Sequence, residues 1–216
     1  MFKKILTTTV LGVSALGVMA ANAAAPGVYV TGQLGYANTH MKGKTEAYNT
    51  PNRPGPAGTN LNNNGLAGRL AVGYQFNQNL ALELGYLQLK NGKYFEEAYA
   101  FPTGTEKLKQ NAIDIAAKGI LPLSDRFNIY GKLGIAYLTS NITFKDVDSD
   151  SKASGNNNQI YNIAKHKWAP EAAVGVSYDI TQNVSVDTSW THIQPIGNKR
   201  PGNIDFVAVG IGYNFG

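Results

Sequence analysis

Apolar and polar residues alternate with a period of two in eight separate segments of the chain. That period fits a strand with two unlike faces, because successive side chains point to opposite sides. The first segment, near Gly27 to Ala37, puts Val28, Val30, Gly32, Leu34 and Tyr36 on one face and Tyr29, Thr31, Gln33 and Gly35 on the other. The second, Gly65 to Phe76, separates Leu66, Leu70, Val72, Tyr74 and Phe76 from Ala67, Arg69, Ala71, Gly73 and Gln75. In the third, Leu80 to Leu89, the apolar set Leu80, Leu82, Leu84 and Tyr86 opposes Glu83; in the fourth, Asn111 to Leu121, Ile113, Ile115 and Leu121 oppose Asp114 and Lys118. Phe127, Ile129, Leu133, Ile135 and Tyr137 of the fifth face away from Asn128 and Lys132, and Trp168, Ala172, Val174, Val176 and Tyr178 of the sixth from Glu171 and Ser177. The seventh opposes Val184, Val186 and Trp190 to Ser185, Asp187 and Ser189, and the eighth opposes Val207, Val209, Ile211, Tyr213 and Phe215 to Ala208, Gly210, Gly212 and Asn214.

A soluble sandwich also alternates, so the links between segments decide. Those after the second, fourth and sixth are short: Asn77 to Asn79, Pro122 to Arg126, and Thr181 to Asn183. The others, residues 38–64, 90–110, 141–167 and 194–203, are long and polar. Short turns on one rim and long loops on the other, joined by strands of about 9 to 11 residues, describe a transmembrane barrel. Alternate strands run in opposite directions, which sorts the outward aromatics into two belts. Tyr36, Tyr86, Tyr137, Trp168 and Trp190 fall at the long-loop end; Tyr74, Phe76, Phe127, Tyr178, Tyr213 and Phe215 fall at the short-turn end. Rings of this kind suit the two membrane interfaces. In hydrocarbon an open edge would strand N–H and C=O groups, so the first and last strands have to meet. The expected fold is all-β: an eight-stranded antiparallel up-and-down transmembrane β-barrel in the cell outer membrane.

The N-terminus reads differently. Lys3 and Lys4 precede an apolar stretch from about Val10 to Ala21 and small residues ending Ala21-Asn22-Ala23, the layout of a cleaved secretory signal peptide. The expected organisation is a signal peptide over 1–23 and a barrel domain over 24–216. With Lys3 and Lys4 removed, 17 basic residues face 14 acidic ones, a net charge of +3, too small to argue for nucleic acid. The absence of cysteine excludes disulfides, thiolate metal sites and cysteine nucleophiles. With a mean hydropathy of −0.21 and no mature apolar run near 18 residues, helical membrane spans are excluded.

The stretch Ile196-Gly197-Asn198-Lys199-Arg200-Pro201-Gly202-Asn203-Ile204-Asp205-Phe206-Val207-Ala208-Val209-Gly210-Ile211-Gly212-Tyr213-Asn214-Phe215-Gly216 closely resembles the end of the OmpA-like transmembrane domain. Ala117-Lys118-Gly119 through Leu123 to Ile129-Tyr130-Gly131-Lys132-Leu133-Gly134 resembles that family's middle hairpin, and Pro170 to Thr181 its sixth strand. The resemblance is specific in the second half of the chain and fades in the loops. It implies a Gram-negative outer-membrane barrel set among membrane lipid and lipopolysaccharide, and inserted by the barrel assembly machinery through the strand ending Phe215.

Charges on the second face point into the lumen: Arg69, Lys118 and Lys132 against Glu83, Asp114, Asp187 and Glu171. The resemblance implies that Glu83 and Lys118 match members of a lumenal salt-bridge cluster whose strand-seven arginine is replaced here by Ser185, leaving Lys132 or Arg69 to supply the cation. Two readings stand: a plug, because eight strands leave room for little besides side chains, and a gate for small ions. Barrel enzymes that edit lipid A need a nucleophile and a base. His192, read as the one histidine on a strand, has Gln194 two residues on, where the lipid A deacylases carry serine. Asp146, Asp148 and Asp150 alternate in the third long loop, but Ser151 and Asn157 stand where a calcium loop wants glycine and glutamate. The expected function is a structural and surface-interaction barrel, not an enzyme, with no cofactor or metal; its loops would meet host or phage ligands. A small diffusion pore and a lipid A-modifying enzyme are the alternatives.

Overall fold

A computed structural model describes residues 26–41, 63–96, 104–146, 154–156 and 163–216. The signal-peptide reading and Asp148, Asp150, Ser151 and Asn157 lie outside them. The strands are β1 (Gly27–Asn38), β2 (Gly65–Asn77), β3 (Leu80–Leu89), β4 (Gly92–Glu96), β5 (Gly104–Pro122), β6 (Phe127–Asp146), β7 (Ser154–Asn156), β8 (His166–Asp179), β9 (Val184–Ile193) and β10 (Ile204–Asn214). Eight of them close a ring, β1-β2-β3-β5-β6-β8-β9-β10, every pair antiparallel. Closure runs from Tyr29↔Asn214 to Asn38↔Asp205. Beyond the ladder, the Phe215 N–H donates to Val28 O at 2.9 Å.

The outward face is apolar and bare. Leu133, Leu70 and Val209 are 72, 69 and 66% exposed, an apolar surface that a hydrocarbon surrounding covers. The short turns are fixed locally. Asn79 N donates to Asn77 Oδ1 at 2.8 Å, and Thr181 Oγ1 accepts from the backbone of Asn183 and Val184. These side-chain bonds replace the ladder where the chain reverses.

Four expectations from sequence need correction. The fourth and fifth strands are far longer than the segments near 111–121 and 127–137, reaching back to Gly104 and on to Asp146. The links 90–110 and 141–167 therefore contain strand, including β4 and β7. His192 is not the sole strand histidine, because His166 opens β8. Asp146 ends β6 instead of lying in a loop. The shared cause is that polar residues pair as well above a membrane as apolar ones within it. In the ladder Gly104↔Asp146 to Gln110↔Ser140 the apolar positions are few, Leu108 on β5 and Ile142 and Phe144 on β6, too short an alternation to mark a strand within a polar link.

Candidate functional site: lumen and outer rim

The lumen is built in three layers. Its waist is ionic. Lys118 and Lys132 stand directly opposite each other on β5 and β6, an arrangement that repels unless an anion lies between. Glu83 of β3 supplies it: Oε1 is 3.5 Å from Lys118 Nζ, and Oε2 pairs with Lys132 Nζ. The same carboxylate takes Arg69 Nη1 at 3.4 Å and the Tyr29 hydroxyl at 2.9 Å. Arg69 reaches Asp114 Oδ1 with Nη2 at 2.5 Å. Arg69, Glu83, Asp114, Lys118 and Lys132 thus form one network. Asp187 stands apart from these ion pairs, accepting instead from Gln33 Nε2 at 2.6 Å and the Tyr130 hydroxyl at 2.8 Å. Buried Glu171 borders the network, and its Oε2 meets no donor among the described residues.

Glycines make this packing possible. A Cβ at Gly73 would lie 2.3 Å from the Tyr29 ring, one at Gly175 2.5 Å from the Tyr130 ring, and one at Gly85 2.4 Å from Arg69 Nη2. Each large lumenal side chain occupies the space a neighbouring strand leaves empty, as the taper of a narrow barrel requires. Lys118 also lies over the Tyr130 ring, 4.5 Å from its centroid.

Towards the short turns the waist opens on a polar vestibule of about 80 Å³, lined by Gln33, Asn128, Ser177, Asp179, Ser185 and their neighbours. Towards the long loops the lumen is apolar. Leu87, Leu89, Leu138, Ile193, Ile204 and Phe206 are buried together with Ala37, Ala67, Ala112, Ala136, Ala169 and Ala208. Above them lie Met41, Leu108, Ile142 and Ile163. The sequence reading found the charges on the inward face and missed both Tyr130 and this apolar cap. Parity was the available signal, since Leu87 and Leu89 share the face of Glu83 and Phe206 that of Ala208.

Every aromatic assigned to a belt has its side chain on the outward face. Tyr137 packs edge-on against Trp168 at 4.9 Å, and Tyr74 against Phe76 and Tyr213 against Phe215 do the same. At the outer rim His192 Nδ1 lies 2.7 Å from Asp205 Oδ1, and His40 Nδ1 lies 3.6 Å from Asp205 Oδ2.

The model of the outer membrane protein beta-barrel domain matches residues 8–215. The chain belongs to this family. It is an outer-membrane β-barrel, resident in the outer membrane and embedded in its lipid. An uncharacterized protein of Coxiella burnetii (strain RSA 493 / Nine Mile phase I) is 28% identical over 90% of this chain and 87% of its own. Outer membrane protein A of Serratia marcescens is 31% identical over 67% of this chain, which spans 38% of that protein. Among solved structures, Neisserial surface protein A superposes with a TM-score of 0.59 at 14% identity, covering 87% of this barrel and 97% of that chain.

Proposed function

We propose that this outer-membrane barrel is a sealed scaffold for surface interaction, with its lumen plugged by the ion-pair waist and the apolar cap. The observation that carries the reading is the hairpin of β5 and β6. Their ladder with barrel neighbours ends at Gln88↔Asn111 and Thr139↔His166. Residues 104–110 and 140–146 continue to pair with each other beyond it, a rise of about 20 Å at roughly 3.3 Å per residue. β4 and β7 extend this sheet on either side, each with an outer edge that pairs with no other strand among the described residues. Open edges outside a membrane offer main-chain groups to a partner strand. At its base the hairpin buries Leu108 and Ile142 against Met41 and Ile163, so it is held upright by the barrel. Insertion through the barrel assembly machinery by the strand ending Phe215, and host or phage ligands on the loops, belong to the same proposal.

Shaving the hairpin by replacing residues 93–107 and 143–156 with short turns tests this. Heat-modifiable migration should survive, because the membrane-spanning ladder is untouched, and binding to host cells or phage should be lost. Full binding by the shaved barrel would refute the reading.

One observation favours a lipid A-modifying enzyme: the bond between His192 Nδ1 and Asp205, the form an oriented general base takes. Among the described residues the side-chain contacts of His192 are Asp205, Gln194 and the Trp190 ring, and none of these brings a nucleophilic hydroxyl. That reading ranks lower. A change in lipid A mass that disappears with His192→Ala would raise it.

A further inference from the structure

The loop between β9 and β10 is described from end to end, and it leans to one side. Ala164 N donates to Lys199 O at 2.8 Å, Ile196 N to Trp168 O at 3.5 Å and Gln194 N to Pro170 O at 3.0 Å, so the loop is laced along the start of β8. Two left-handed residues, Gly197 at φ 86 and Lys199 at φ 56, make the tight return that this path needs. Arg200 Nη1 donates to Pro195 O at 3.2 Å, which steadies the base of its guanidinium.

The consequence is a composite surface. Lys165, Lys199 and Arg200 are all exposed, and among the described residues none of the three enters an ion pair. Directly beneath them are Trp168, 59% exposed and on the membrane-facing side, and Ile196, 55% exposed. His166 stacks on Tyr137 beside them at 5.4 Å. Asp205, a rim carboxylate on β10, faces His192 and His40 instead of these cations.

We propose that this sector is a docking surface for the phosphates of the outer-leaflet glycolipid, lipopolysaccharide. The cations stand immediately above an outward aromatic and an exposed aliphatic, which is the vertical order of phosphate above acyl chain in a lipid. Interfacial Trp sets the height of the headgroups, and Lys or Arg just beyond it meets their negative charge. A soluble polyanion would gain from the charges alone and would have no use for Trp168 and Ile196 at their foot. The proposal needs only that the barrel lies in the outer membrane and does not depend on the surface-interaction role.

Native mass spectrometry of the folded full-length protein in neutral detergent tests it, with bisphosphorylated lipid A and its dephosphorylated form as probes. The unmodified protein should retain the bisphosphorylated form preferentially. The variant Lys165→Gln/Lys199→Gln/Arg200→Gln should bind it about a hundredfold more weakly, at roughly fivefold per cation. A control, Lys90→Gln/Lys109→Gln, removes exposed lysines from the β3–β5 side of the ring and should change little. Heat-modifiable migration checks that both variants are folded. Equal retention of the two lipid forms would overturn the proposal, as would a loss per charge in the control equal to that in the triple variant. It would also be overturned if the triple variant kept lipid A but lost binding to heparin, the mark of a site for soluble polyanions.

Discussion

Replacing Glu83 with alanine removes the anion that four donors share. Arg69 keeps Asp114 at 2.5 Å, so it is not stranded. Both lysines border the vestibule, and Lys118, with 15% of its side chain exposed, can hydrate there. Lys132, at 6%, is left opposite Lys118 with a buried ammonium that has lost its carboxylate. Truncating one partner of a buried pair costs about 3 to 5 kcal/mol, chiefly because the other charge is stranded. With only Lys132 fully trapped, the lower end, about 3 kcal/mol, is expected. The assay is urea unfolding in lipid vesicles, followed by the shift between folded and unfolded migration. Adding Lys132→Met removes the stranded charge, so the double variant should recover about 2 kcal/mol relative to the sum of the single changes. Strict additivity would refute the network. Because the apolar cap lies above the waist, Glu83→Ala should also leave conductance unchanged; a rise would place the seal in the ion pairs alone.

Gly73→Ala puts a Cβ against the Tyr29 ring and should destabilise the barrel by about 1 to 3 kcal/mol, read by the same unfolding titration; Gly32→Ala, which meets Leu70 at an ordinary 3.6 Å on the outward face, should be near neutral. Phe206→Ala opens a void among buried aliphatics and should cost about 3 to 5 kcal/mol. Combined with Glu83→Ala, it should produce ion flux in a vesicle leak assay that neither change produces alone.

The barrel was legible because lipid demands what sequence displays. Val209, Ile211 and Tyr213 on one face and Ala208, Gly210 and Gly212 on the other can only be a strand between hydrocarbon and a crowded lumen. The extensions of β5 and β6 escaped because their outward face, with Lys107, Lys109 and Asn141, is polar, and the inward face mixes Leu108 and Ile142 with Gln110 and Ser140, so the alternation is too weak to separate a strand from a loop. At the site, parity alone put Glu83, Lys118 and Lys132 inside. Their contacts depend on stagger between strands, which brings Arg69 to Asp114 and gives Asp187 to Tyr130 instead of to a lysine. The apolar cap was hidden by the rule that a barrel interior is polar, which holds for water-filled lumens and not for one packed as a core.

The sealed lumen is the claim on which the functional reading turns, and planar-bilayer recording tests it most directly. Protein first shown to be folded by heat-modifiable migration should give no steady conductance across the membrane, at either polarity. Stable, long-lived channels from that same preparation would contradict the plug and make this barrel a pore.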